Sequence, residues 1–360
     1  MGMYTVDRAI SDIWGKDNKS YTVFCAHSEF KTGHYKLNKL GINIGHRKFY
    51  QEGIVRKLLL RDKSQLKKYD RVIFWGDFTL NPEYGLHDFV EYDLRYNFSR
   101  SENDSYSRWK NLFMLNSDEH KIMSFGQNFQ SEKLSHGGTL SGELQQVIKP
   151  IGLILPRDSK SFKNLKGLNL SNQLNMACDA ALLKIAQSPL LPTENHFCFY
   201  FSRSNFKNPK SIISKIEKEF KIRAINLNDW NYCKVDYEKR WNIYEKLISN
   251  SKFILTDTYH CAVNSISLKT IPMVISNPVK SQSGTLGDFK KQVLMSDFGF
   301  LKYYFETNDE GILDESTISD IRSKIEFLNS GEKRDHYENF NIIEKKVNDI
   351  VSALKGFTNE

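Results

Sequence analysis

Eight short apolar runs, mostly unbroken by polar residues, recur along this chain with helix-like stretches between them. In the first half they are Tyr21–Ala26, Arg71–Trp75, Lys121–Phe125 and Ile151–Leu155. In the second half they are Phe197–Phe201, Ile222–Asn226, Phe253–Thr256 and Pro272–Ile275. A strand with one wet face alternates apolar and polar residues, whereas a parallel strand covered on both faces does not. Continuous runs therefore predict parallel sheets with helices on both sides. The stretches between them agree, because Ile212, Ile213, Ile216 and Phe220 recur at helical spacing, as do Trp241, Tyr244 and Leu247/Ile248. Repeated βα units in each half imply an α/β fold of two doubly wound domains.

Length points the same way: 360 residues exceed what a single growing core holds. The boundary is expected in Gln187–Asn195, where Pro189 and Pro192 separate a helical pattern from a strand. The domains are then 1–188 and 189–360. A closing amphipathic helix over Ile342–Leu354 is free to pack back on the first domain. Ser99–Ser107, rich in polar residues, is expected to be an exposed loop, and the glycine-rich Ser131–Glu143 a mobile one.

A hydrophobic content of 40% is ample for packed cores, and a net charge of +8 favours anionic partners. The lysines are scattered rather than blocked, so solvated helix faces explain the charge equally well. Nucleic acid is disfavoured, since the basic residues form no stripe. The cysteines at 25, 178, 198, 233 and 261 contain no CxxC pair, which predicts reduced thiols, no disulfide framework and no zinc site. No apolar run reaches the length of a transmembrane helix, and no apolar leader opens the chain. The expected location is cytoplasmic, with peripheral contact to a membrane left open.

The most informative stretch runs from Ser249 to Val263 and on to Ile271–Ile275: a buried strand, a polar turn, a helix, then a second buried strand. Open α/β sheets bind ligands at such a place, outside the carboxyl end of a strand. The helix start offers N–H groups to an anion, and His260 adds an imidazole that titrates near neutrality. Asp257 either orients that imidazole or caps the helix. Arg203 follows the strand that opens the second half, on the same edge of the sheet, where its planar fork suits a carboxylate or phosphate. In the first half, Asn43, Gly45 and His46 form a turn before a helical run. Gly76 with Asp77 and Gly126 with Gln127 each end a strand. No Walker loop, GxGxxG fingerprint, HExxH or nucleophile elbow occurs.

Taken in order, Ile122–Gln127, Leu155–Leu165, Met176–Leu182 and Thr256-Asp257-Thr258-Tyr259-His260 resemble the motifs of the polysaccharide pyruvyl transferase family. The resemblance spans most of the chain. It implies two Rossmann-like domains facing across a cleft, as in GT-B glycosyltransferases. It also implies transfer of an enolpyruvyl group from phosphoenolpyruvate to a sugar of a surface polysaccharide or its lipid-linked precursor, closing to a cyclic pyruvate ketal. The family's catalytic His falls on His260 and its donor-site Arg on Arg203, with Asp257, Thr258 and Tyr259 completing the donor turn. Many members carry Arg where this chain has Thr258, and Asp where it has His46. Acceptor-side residues are expected among Asn43, Gly45, His46, Gly76, Asp77 and Gln127. The scheme requires neither metal nor other cofactor.

Two other functions fit the same residues: a GT-B glycosyltransferase using a nucleotide sugar, and a non-catalytic polysaccharide-assembly protein.

Overall fold

The computed structural model describes residues 2–14, 22–25, 57–60, 62–76, 79–81, 86–95, 97–130, 139–168, 173–185, 194–203, 206–207, 209–228, 230, 237–277, 288–330 and 334–359. They fall into two compact units. One, the N-unit, comprises Val6–Ala180 with Leu354–Glu360; the other, the C-unit, comprises Met1–Thr5 with Ala181–Ala353. The fold is mixed α/β, and every strand pairing among the described residues is parallel.

The chain opens with helix α1 (Gly2–Trp14), followed by strands β1 (Val23–Cys25) and β2 (Lys57–Leu59), which pair with each other. Next come β3 (Arg71–Trp75), α2 (Asp88–Arg95), α3 (Glu102–Phe113), β4 (Lys121–Phe125), α4 (Thr139–Ile148), β5 (Leu153–Leu155), α5 (Ser159–Lys166) and β6 (Gln173–Leu174). Strands β3-β4-β5-β6 lie side by side in that order. Phe74, Phe89, Trp109, Phe113, Phe129 and Ile154 are among the buried residues of this unit's core. Thr358 returns to it, accepting at its carbonyl from Arg71 (2.8 Å) and at its hydroxyl from the Trp14 indole (3.3 Å).

The C-unit holds β7 (His196–Tyr200), α6 (Pro209–Phe220), β8 (Arg223–Asn226), α7 (Tyr237–Ser249), β9 (Ile254–Thr256), α8 (Tyr259–Ser267), β10 (Pro272–Ser276), α9 (Phe289–Asp297), β11 (Tyr304–Glu306), α10 (Glu315–Asn329) and most of α11 (Arg334–Asn359). Its sheet runs β8-β7-β9-β10-β11. Ile212, Ile213 and Ile216 of α6 and Trp241, Tyr244 and Ile248 of α7 are buried, as their spacing predicts. Trp230, Trp241 and Tyr244 pack with Tyr4, which lies near the start of the chain.

Each of the eight expected runs coincides with or overlaps a strand. Ile343, Val347, Ile350 and Leu354 form the buried stripe of α11, in keeping with the expected amphipathic helix. Ser99–Ser107 is not a loop: α3 begins at Glu102. Ser101 caps it by accepting from the amide of Asp104, Glu102 and Asp104 suit the positive end of the helix, and Ser105 and Trp109 turn inward. Polarity at a capped helix start was misread as loop composition. Replacing Ser101 by Ala is expected to cost about 1 kcal/mol, read as a lower urea midpoint; an unchanged midpoint would mean the cap contributes nothing. Most of Gln187–Asn195 and residues 131–138 lie outside the described residues, while Thr139–Glu143 belong to α4.

Candidate active site

The order β8-β7-β9-β10-β11 decides where the C-unit offers a site. The chain leaves β7 toward β8 on one side and resumes on the other side of β7 with β9, which aligns Cys198 with Ile254 and Tyr200 with Thr256. At such a reversal the connections diverge and leave a crevice beyond the strands' carboxyl ends. Beyond β7 lie Ser202 and Arg203; beyond β9 lie Asp257, Thr258, Tyr259 and His260.

Asp257 ties these two strand ends together. Its carboxylate is buried and accepts from the backbone amides of Ser202 and Arg203, each at 2.8 Å, and from the Thr258 hydroxyl at 3.1 Å. The two strand ends are further joined where the Thr256 hydroxyl donates to the carbonyl of Tyr200 (2.7 Å). The sequence allowed Asp257 to cap the helix, but Thr258 occupies that position and makes no side-chain cap bond. The start of a helix such as α8 favours an incoming anion.

His260 lies in the first turn of α8 and is half-buried. Its ring stands nearly perpendicular to that of Tyr259 with centroids 5.3 Å apart, and its carbonyl accepts from Asn264 at 2.7 Å. Lys290 sits over the Tyr259 ring at 5.0 Å. The neighbouring Cys261 is fully buried, and burial pushes its thiol far up; the same cause pushes Cys198 up to about 12. Both are core thiols held protonated at neutral pH, so neither serves as a nucleophile here. Arg203 is exposed, with its backbone pinned by Asp257.

Sequence reasoning missed Lys291. It is 1% exposed, forms an ion pair with Asp288 at 2.7 Å and donates to the carbonyls of Asp257 and Ile275, both at 3.0 Å. The available signal was helical phase. Lys291, Leu294, Met295 and Phe298 share one face, and all four are buried.

In the N-unit, Gly76 and Gly126 end β3 and β4 with φ of +94° and +71°. A side chain at either would sit in the left-handed region, which explains the glycines without a ligand. Gln127 is fully buried and its carboxamide oxygen accepts from the amide of Leu80 at 3.0 Å, so it also fastens the segment after β3. Around it, Gln130 donates to Asp158 (2.8 Å), which also caps α5 by accepting from the Ser161 amide. Asn43, Gly45, His46 and Asp77 lie outside the described residues.

A family model for polysaccharide pyruvyl transferase matches residues 15–278. The chain belongs to the polysaccharide pyruvyl transferase family. A search of curated proteins finds no match. The matched stretch includes Arg203, the 257–260 turn, Gly76 and Gln127, and it stops short of Asp288 and Lys291. As a pyruvyl transferase the protein acts on a saccharide acceptor. Among the described residues no helix is long and apolar enough to cross a membrane, and no cluster of His, Cys, Asp or Glu has the makings of a metal site.

Proposed function

We propose that this polysaccharide pyruvyl transferase takes the enolpyruvyl group from phosphoenolpyruvate and places it on two hydroxyls of a saccharide as a cyclic ketal. The supporting observation is the joining of the Arg203 and His260 segments through buried Asp257 at the β7/β9 reversal. Phosphoenolpyruvate is a small dianion or trianion with a carboxylate beside a phosphate. The start of α8 and the Arg203 guanidinium are the groups that would receive it. Thr258 adds a neutral hydroxyl to that turn.

In the proposed reaction the imidazolium of His260 gives its proton to the methylene carbon while a sugar hydroxyl attacks the adjacent carbon. The hydroxyl's proton passes to solvent or to the phosphate, and the phosphate leaves with the electrons of its C–O bond. A second hydroxyl then attacks the same carbon and gives its proton back to the His260 imidazole, closing the ketal, so one donor and one diol give one ketal and inorganic phosphate. Positive groups fixed where phosphate charge accumulates lower the barrier without reorganising. Acceptor-side residues are proposed from the N-unit strand ends, Gly76 and Gln127, together with Asp77, Asn43, Gly45 and His46. The precursor is proposed to be lipid-linked and met at the inner face of a membrane.

Incubation with phosphoenolpyruvate and a panel of glycosides is expected to yield phosphate and the mass gain of one pyruvate ketal. Turnover with a nucleotide sugar instead would replace this donor assignment, and acceptor binding with no turnover would point to an assembly role. Arg203→Ala is expected to raise the donor KM by about tenfold or more, as losing a charge-assisted contact does. The melting temperature should hold, because the side chain is exposed. An unchanged donor KM would make Arg203 a bystander.

A further inference from the structure

We propose that Lys291 is a positioning residue for the catalytic turn, holding the Asp257–Thr258 peptide from behind so that α8 and His260 start in one orientation. The inference rests on the reading of His260 as the acid of this site.

The pairing of β9 with β10 ends at this point, while β10 goes on pairing with β11 as far as Ser276. Strands β9 and β10 are in register with Thr256 beside Val274, so Asp257 and Ile275 are the next residues on each. Their carbonyls are the two that Lys291 binds. The ammonium thus adds a side-chain rung between β9 and β10 beyond their last pair, and its third proton goes to Asp288. Three acceptors around a tetrahedral donor suit lysine; the planar fork of arginine does not match them. A buried ammonium is tolerated only when its hydrogens are all used, and here they are.

The consequence for the turn lies in one peptide unit. Its oxygen, on Asp257, accepts from Lys291, while its N–H, on Thr258, donates to the Thr256 hydroxyl at 3.1 Å. Held at both ends, this peptide cannot rotate, and α8 begins directly after it at Tyr259. The carboxylate of Asp257 meanwhile secures Ser202 and Arg203. Lys291 and Asp288 therefore act on the reacting groups through the main chain of this turn. Asp288 also accepts from the amide of Asn277, fixing the end of β10.

The test uses Lys291→Met, and Lys291→Met combined with Asp288→Asn, which avoids leaving a buried carboxylate uncompensated. A control, Ile325→Ala in α10, removes core volume far along the chain and is compared with them at an equal distance below each melting temperature. Hydrogen exchange by mass spectrometry is expected to speed up about tenfold in the peptide covering 256–263 of the double variant, with α6 unchanged. Turnover per folded molecule with phosphoenolpyruvate is expected to fall by about 10²-fold, as for a misplaced reacting group. The control should keep its turnover. Unchanged exchange in 256–263, or an equal loss of turnover in the control, would overturn the proposal. If the wild-type protein fails to use phosphoenolpyruvate, the donor reading falls, and the exchange comparison alone decides whether Lys291 holds the turn.

Discussion

Replacing His260 by Gln is expected to lower kcat for ketal formation by about 10²–10⁴-fold, the range that a positioned acid supplies. Gln preserves a polar side chain of similar reach but has no proton to give at neutral pH. Because His260 is half-buried and its ring packs at a steep angle against Tyr259, stability should change by no more than about 1 kcal/mol. Circular dichroism and a thermal melt establish the fold, and single-turnover kinetics at saturating donor isolate the chemical step. A folded His260→Gln protein with wild-type turnover would end the assignment of His260 as the acid. If only the donor KM moved, the imidazole would be a binding group rather than the proton source.

Asp257 carries the second large expected effect. Its carboxylate receives two backbone amides and a hydroxyl while almost entirely out of water. Hydrogen bonds to a charged group contribute about 1.5–3 kcal/mol each. Removing the acceptor leaves the Ser202 and Arg203 amides to find partially exposed alternatives. Asp257→Ala is therefore expected to destabilise by about 3 kcal/mol, and Asp257→Asn by about 2 kcal/mol, since its NH₂ would face an N–H it cannot accept from. Both variants should also lose donor binding, because the 202–203 backbone is no longer held against the α8 turn. Chemical denaturation reads the first effect and calorimetric titration with phosphoenolpyruvate the second. An Asp257→Asn protein that binds the donor with wild-type affinity would show that the clamp does not set the site.

The strands were legible in this chain because doubly covered parallel strands write a strong local signal. Phe253–Thr256 and Pro272–Ile275 need no context to be read. The strands that went unseen are short and lie at sheet edges or in the separate pair. Strand β6 is two residues long, β11 buries only Phe305 fully, and β2 is a three-residue Lys-Leu-Leu. Such strands form because a neighbour offers a ladder, which is information from elsewhere in the chain.

The turn at 256–260 was legible for the same reason as its strand: a buried run, a polar break and a helix start are consecutive. What Asp257 does was not. Its partners are 54 and 55 positions away, at Arg203 and Ser202, and only the side-by-side placement of β7 and β9 joins them. Lys291 was hidden more thoroughly. Lysine is nearly always a solvated residue, and only the burial of Leu294 and Phe298 gives the helix its phase.

The return of Thr358 to Trp14 and Arg71, and the packing of Tyr4 against Trp241 and Tyr237, bear on how the polypeptide is put together. Each unit borrows a short piece from beyond the other unit's stretch of sequence. During synthesis, the body of the N-unit emerges early but waits for its last helical turn until all of Ala181–Ala353 has been made. Contacts of such long sequence separation form late and carry a high loop-closure cost. The two units are thus completed close together, and no contiguous fragment carries one of them whole without most of the other.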